Sequence, residues 1–415
     1  MVTTGLLETL TPEETDAVLA HELGHIKHRD FLVITAAAMA PMMMFQVYLW
    51  ARRLKEDHWG TWVAFATYWM SEMIVVTLSR SREYWADAFS AEATGNPSAL
   101  SSALVKVAYG ISKAEREGAW ARRHGNAHQR VEALGCAALS SRIGALGIAS
   151  AEPGLALKGT TPAAAAKLMK WDLVNPWARL HQYLSPHPLT PMRISALNRL
   201  AYKQGRAAAY PLPEWARIEW RRFPLEFLLW AGPWVPAFAM VILTGLSQRG
   251  QLAVPTAYLA ISAVSMFMLW AARILYRYQG RFEPAAVASL IEDTTVSGMC
   301  PRAVRVEGWI AGRGDPGLFR SPDLLLRDAT GTVFLLDRES IPFARLLMLP
   351  NSGNLIGQRV IVEGWYRRDP APFIELSSVE CQEDSTVLRS HSRWIQLIYA
   401  AAASGVLYWF TGSSV

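Results

Sequence analysis

The sequence predicts a mainly α protein: a multi-span helical membrane protein that carries a small β-barrel near its C-terminus. Three observations predict this. Hydrophobic residues make up 51% of the 415-residue chain and charged residues only 18%, with 17 tryptophans. Apolar windows fall at about 31–51, 60–78, 226–247, 252–272 and 395–411. The first four approach the ~20 residues that a bilayer needs. Residues 280–385 then change period and read as strands between Gly, Pro and Asp turns.

Residues 11–30 read as the first helix. Thr11, Pro12 and Glu14 supply an N-cap, a proline at the first helical position and a capping-box acid. The first two apolar windows form a hairpin joined by ARRLKEDHWG, and the third and fourth form another joined by SQRGQ. Arg217, Arg221 and Arg222 precede the second hairpin; Arg273, Arg277 and Arg281 follow it; Arg389 and Arg393 precede the last window. The positive-inside rule puts these flanks in the cytoplasm. Between the hairpins, residues 80–225 are soluble in character, and 141–166 reads as a connector rich in Ala, Gly, Ser and Pro. In the β region, RAVRVEGWIA, DLLLRDATGTVFLLD, QRVIVEGWYRR and FIELSSVEC read as strands, and VEGW occurs at 306–309 and 362–365. Their spacing is similar to a five-stranded OB-like barrel.

The net charge of +6, from 41 basic and 35 acidic residues, reads as basic loops beside membrane spans. Basic and aromatic residues do not interleave on successive strands of the barrel, so no nucleic-acid partner is expected. Cys136, Cys300 and Cys381 are scattered, with neither metal spacing nor a disulfide framework. That fits a reducing compartment. The N-terminus shows no signal-peptide pattern.

The chemistry concentrates in AVLAHELGHIKHRD, residues 17–30. His21 and His25 are four apart on a helix, about 40° around its axis and roughly 6 Å along it. Two imidazoles so placed can share one Zn²⁺ at ~2 Å. Glu22 beside them suits the general base of an H-E-x-x-H site. His28 lies about 10 Å along the axis from His21, too far for the same ion. An extended metzincin motif would need Gly at position 28 and His at 31, where the chain has His28 and Phe31. The third ligand is therefore expected from another helix. SRSREYWADAFS, residues 79–90, follows the second window directly. Its Glu83 can bind the metal, and Asp87, one turn on, can accept the second N–H of a ligand histidine. Glu72 lies eleven residues before Glu83. It reads either as lining a polar cavity towards the metal or as a neutral group packed near the span end.

These stretches resemble the HtpX-type membrane zinc metallopeptidases, relatives of the CAAX prenyl protease. The matching pieces are TGLLETLTPEETDAVLAHELGHIKHRD, SRSREYWADAFSAEATGNPSALSSALVKVA and NPWARLHQYLSPHPLTPMRISAL, in family order over roughly 4–200. The resemblance implies a zincin-like (gluzincin) catalytic region. It implies His21, His25 and Glu83 as zinc ligands, Glu22 as base, and Asp87 behind a ligand. His187 and Arg193 fill a His-Pro…Arg segment that could stabilise the oxyanion; Leu189 and Pro186 depart from the family pattern there. The implied protein is a membrane endopeptidase acting on membrane or misfolded proteins. It would sit in a bacterial inner (plasma) membrane with its site facing the cytoplasm.

The domains expected are a metallopeptidase domain over 1–225, a second hairpin over 226–272, the barrel over 280–385 and a C-terminal span over 395–411. The family also carries two further spans and a substrate-pairing strand before TGLLE, whereas this chain reads MVTTGLLE from Met1. The alternative expectation is thus a truncated, inactive membrane scaffold whose barrel docks partners.

Overall fold

The computed structural model describes residues 10–53, 58–106, 161–213, 217–248, 250, 254–313, 324–336, 355–369, 371–383 and 386–413. Cys136 and most of the expected 141–166 connector lie outside them; its last residues already belong to a helix that starts at Pro162. The chain divides into two compact units, Met1–Ile218 and Glu219–Val415.

In the first unit, α1 spans Pro12–Lys27. Its start is a complete capping box: Glu14 N donates to Thr11 Oγ at 3.3 Å, and Thr11 N donates to Glu14 Oε2 at 2.9 Å. Glu14 also accepts from Ser102 at 2.6 Å and from Lys106 at 2.7 Å, which ties α1 to the helical residues 97–106. The helix expected over 11–30 ends early. Arg29 adopts a left-handed backbone (φ 52), and α2 restarts at Asp30 and runs to Ala51.

One uninterrupted 37-residue helix, α3 (His58–Thr94), carries both the second apolar window and SRSREYWADAFS. It packs against α1 and α2. Gly24 sets the closeness of α1 and α3: a Cβ there would lie 3.1 Å from Ala86 Cα and 3.2 Å from the Phe89 ring. Glu72 is half-buried with Tyr68, one turn earlier, as a partner. A cavity of ≈ 660 Å³ along the same helix is lined by residues such as Trp69, Met73 and Ile74. The unit also contains α4 (Pro162–Val174), α5 (Pro176–Leu184) and α6 (Thr190–Lys203). Asn175 caps α5 through the Trp177 N–H, and α6 contacts α3.

The second unit begins with α7 (Phe223–Ala231) and α8 (Trp234–Gln248), followed by α9 (Thr256–Arg277). The window expected as one span is broken at Gly232-Pro233, where proline cannot continue the backbone ladder. Among the described residues, three stretches are long and apolar enough to cross a membrane: Asp30–Ala51, Phe223–Gln248 and Thr256–Arg277. The windows 60–78 and 395–411 are helical but are not among them.

The strands are β1 (Glu283–Pro284), β2 (Arg302–Arg313), β3 (Leu324–Arg327), β4 (Thr332–Leu336), β5 (Arg359–Arg368), β6 (Pro372–Cys381) and β7 (Val387–Arg389), with a short α10 (Val287–Ile291) after β1. Pairing runs β2–β3–β4–β6–β5 and closes through β5–β2 into a five-stranded barrel. The β4–β6 pair is parallel and the other barrel pairs are antiparallel. The second VEGW glycine has a steric reason: a Cβ on Gly364 would sit 2.4 Å from the Glu375 carbonyl oxygen of β6. Val304, Val306, Val360, Val362 and Ile374 fill the interior. The last helix, α11 (Ser392–Gly412), packs on α9 in the opposite direction. Leu397 and Ala400 meet Ile274, and Leu407 meets the cluster of Leu259 and Ala263.

Candidate metal centre

The faces of α1 and α3 meet where Gly24 lets the helices approach. His21 and His25 from α1 and Glu83 from α3 offer ligand atoms within 4.8 Å of one another. His21 Nε2 and His25 Nε2 are 3.2 Å apart. Glu83 lies 3.7 Å from the first and 4.0 Å from the second. A tetrahedral Zn²⁺ with ~2.0–2.1 Å bonds separates its ligand atoms by about 3.3 Å, so the spacing suits one ion.

The outer faces of both rings are occupied by carboxylates. Asp87 Oδ1 lies 3.0 Å from His21 Nδ1, and Asp30 Oδ2 lies 2.6 Å from His25 Nδ1. With each proton at Nδ1, next to its carboxylate, both Nε2 lone pairs would face inward, an arrangement that repels itself unless a cation sits between them. The donor set therefore fits a zinc ion.

Sequence reasoning placed no role on Asp30 or Arg82. Arg82 bonds Asp30 and also donates to the His28 carbonyl at 2.7 Å. Asp30 reaches back to His25 because Arg29 turns the chain through a left-handed residue. The only signal in the sequence was an acid five residues beyond His25, just past the helix end. His28 points elsewhere: its ring packs edge-on to Trp85 and Phe89.

Arg193, from α6, is buried, and its guanidinium grips Asp87 at 2.6 and 2.9 Å and approaches Glu83 at 3.2 Å. Burial by itself raises the Asp87 pKa. The Arg193 charge and the bonds from His21 and Arg193 overcome that and hold it at about 2. Burial likewise opposes ionisation of Glu83, yet His187, Arg193 and His21 hold its pKa below the usual carboxylate range. His187 comes from the turn before α6 and sets its Nδ1 3.3 Å from Glu83 Oε1. Glu22 is half-buried on α1 next to His21. Of the seven site residues named from sequence, His21, Glu22 and His25 lie on α1, Glu83 and Asp87 on α3, His187 in the turn before α6 and Arg193 on α6.

Residues 1–201 match the model of peptidase family M48. Similar curated proteins include a protease HtpX homolog of Methanothermobacter thermautotrophicus, 37% identical over 118 residues, which is 28% of this chain and 45% of the relative. Protease HtpX homolog 1 of Streptomyces coelicolor is 39% identical over 124 residues, covering 27% of this chain and 41% of the relative. The protease HtpX homolog of Sulfurovum sp. is 42% identical over 113 residues, covering 26% and 41%. Residues 1–201 form a domain of peptidase family M48 and are HtpX-like.

The aligned part spans less than half the length of these relatives. No solved structure matches. The M48 domain holds the whole His–Glu cluster, whereas the second unit, from Glu219 on, lies beyond the family match.

Proposed function

We propose that this chain is a membrane-embedded, zinc-dependent endopeptidase that hydrolyses peptide bonds of membrane or misfolded proteins. The observation that carries this reading is the convergence of His21 Nε2, His25 Nε2 and the Glu83 carboxylate inside an M48 domain. These three are the proposed ligands. Zinc bound there supplies Lewis acidity and a water made nucleophilic near neutral pH.

The protein residues divide the remaining work. Asp87 and Asp30 each hold a proton on the Nδ1 of a ligand histidine and so fix its tautomer. Glu22 takes a proton from the attacking water and delivers it to the leaving amine. His187, half-exposed beside Glu83, is placed to donate to the oxyanion. Arg193 is engaged by two carboxylates, so its contribution is to orient Asp87 and Glu83.

The catalytic region reads as zincin-like, of the gluzincin type. The barrel reads as OB-like, because its five strands close with one parallel pair between its third and last strands. Basic flanks at Arg217–Arg222, Arg273–Arg281 and Arg389–Arg393 support a cytoplasmic site in a bacterial plasma membrane. The antiparallel packing of α11 on α9 supports α11 as a further span.

The test is cleavage of an unfolded membrane protein by the zinc-loaded chain. Glu22→Gln is expected to keep zinc and to lose activity by about 10²–10⁴-fold. Full activity in that variant sinks the mechanism, while zinc binding without cleavage by the unaltered chain favours the scaffold.

A further inference from the structure

The second unit holds a groove of ≈ 650 Å³ that the peptidase chemistry does not use. Its floor is a single cross-strand row on the outer face of the barrel. Arg305 on β2 pairs with Glu363 on β5, Glu363 with Ser378 on β6, and Ser378 with Arg389 on β7. Its end wall is the start of α11, with Arg393 and Trp394. Among the described residues, Arg305, Arg389 and Arg393 form no ion pair. Arg393 Nε is buried without a hydrogen-bond partner. The groove also contains Glu363, which accepts from Ser378 at 3.3 Å, and Glu380 at its rim. Three guanidiniums face two carboxylates, so the groove is positive.

Position decides what such a groove would meet. Trp365, in the groove wall, packs edge-on to Tyr278 at 4.8 Å, directly after the candidate span α9. From the same wall exposed apolar side chains continue onto α11 at Trp394 and Ile398, one turn apart, which are 63% and 66% exposed. A polar, basic groove thus opens onto exposed apolar helix at the end of a candidate span, with tryptophans at the boundary.

We infer that this groove binds a phospholipid headgroup, with Arg305, Arg389 and Arg393 taking the phosphate and headgroup oxygens and the acyl chains lying along Trp394 and Ile398. Width argues against a bare phosphate. Arg305 and Arg389 stand three strand spacings apart, about 14 Å between backbones. Spanning it takes a headgroup with its own oxygens beyond the phosphate. The excess of arginine over carboxylate favours an anionic lipid.

The test uses the full chain in mild detergent with phosphatidylglycerol or phosphatidylcholine of matched acyl chains, read by native mass spectrometry. Phosphatidylglycerol is expected to be retained over phosphatidylcholine. The triple variant Arg305→Gln/Arg389→Gln/Arg393→Gln should lose about 100-fold in that retention, whereas the corresponding triple lysine variant should keep most of it. Ser378→Glu leaves the arginines intact, places a carboxylate mid-row and should also expel phosphatidylglycerol. Unchanged circular dichroism of each variant verifies folding. Equal retention of the two lipids by the unaltered chain overturns the proposal, as does retention of phosphatidylglycerol by both the glutamine triple and Ser378→Glu. Binding of soluble glycerol 1-phosphate as tightly as of phosphatidylglycerol overturns the lipid assignment in favour of a soluble phosphate ester.

Discussion

At the scale of single residues, the centre is a set of carboxylates that each depend on a cation or an imidazole. Asp87 is the clearest case: it is 1% exposed, with Arg193 on one side and His21 on the other. Asp87→Ala removes the group behind His21 Nδ1 and is expected to weaken zinc binding by about 10–100-fold, measured by competition with a chelating dye. Arg193→Met leaves two buried carboxylates without their cation. It should destabilise the zinc-free chain by about 3–5 kcal/mol, seen as a lowered melting temperature. If it changes cleavage without changing stability, Arg193 touches substrate and the positioning role fails. The clustering of His21, His25 and Glu83 was legible, because a helix fixes His21 against His25, and the position of SRSREYWAD after the second window brings Glu83 to them. Asp30 and Arg82 were not legible, because their meeting depends on one left-handed residue, Arg29, that no periodicity announces.

At the scale of elements, two of the contacts that hold α1 can be tested directly. One is Gly24 against α3. Gly24→Ala must push on Ala86 backbone, which cannot swing aside as a side chain can. The substitution is expected to cost about 1–3 kcal/mol and to lower zinc affinity, because His21 and His25 flank the contact. Unchanged zinc affinity would mean that the helices part without moving the ligands. The other contact is Glu14, bonded by Thr11, Ser102 and Lys106. Burial raises its pKa, but those bonds outweigh it, so the folded value lies below the ordinary one. Its stabilisation is therefore full above the unfolded carboxylate value of ~4.3 and is lost as pH falls through the lower folded value. Glu14→Gln should flatten the acid limb of a stability-against-pH curve between those values; an unchanged limb would remove Glu14 as a contributor. The capping box was readable from Thr11-Pro12-Glu13-Glu14. The long-range partners Ser102 and Lys106 were not, because nothing in local sequence pairs residues about ninety apart.

At the scale of the whole molecule, apolar length and basic flanks carry the argument. The five apolar windows are all largely helical where described, but among the described residues three stretches are long and apolar enough to span a membrane. Glu72 dilutes the second window and short polar residues dilute the last. The barrel strands were readable from turn residues, while the closing pair β2–β5 depends on contacts between distant segments. Orientation is where the sequence makes its most testable whole-chain statement. The basic residues that flank α7 and α9 lie at one end of the second hairpin, with the turn after Gln248 at the other. If the basic end is cytoplasmic, Gln248→Cys faces the outside and Arg281→Cys the inside. The chain's own Cys300 and Cys381 are buried, and replacing Cys136 with serine leaves the introduced thiol as the accessible target. A membrane-impermeant maleimide applied to intact cells should label Gln248→Cys at once and label Arg281→Cys only after the membrane is opened. The reverse pattern would put the basic flanks outside and overturn the cytoplasmic orientation proposed from them. Equal labelling of both positions in intact cells would show that α8 and α9 do not cross the bilayer as a pair.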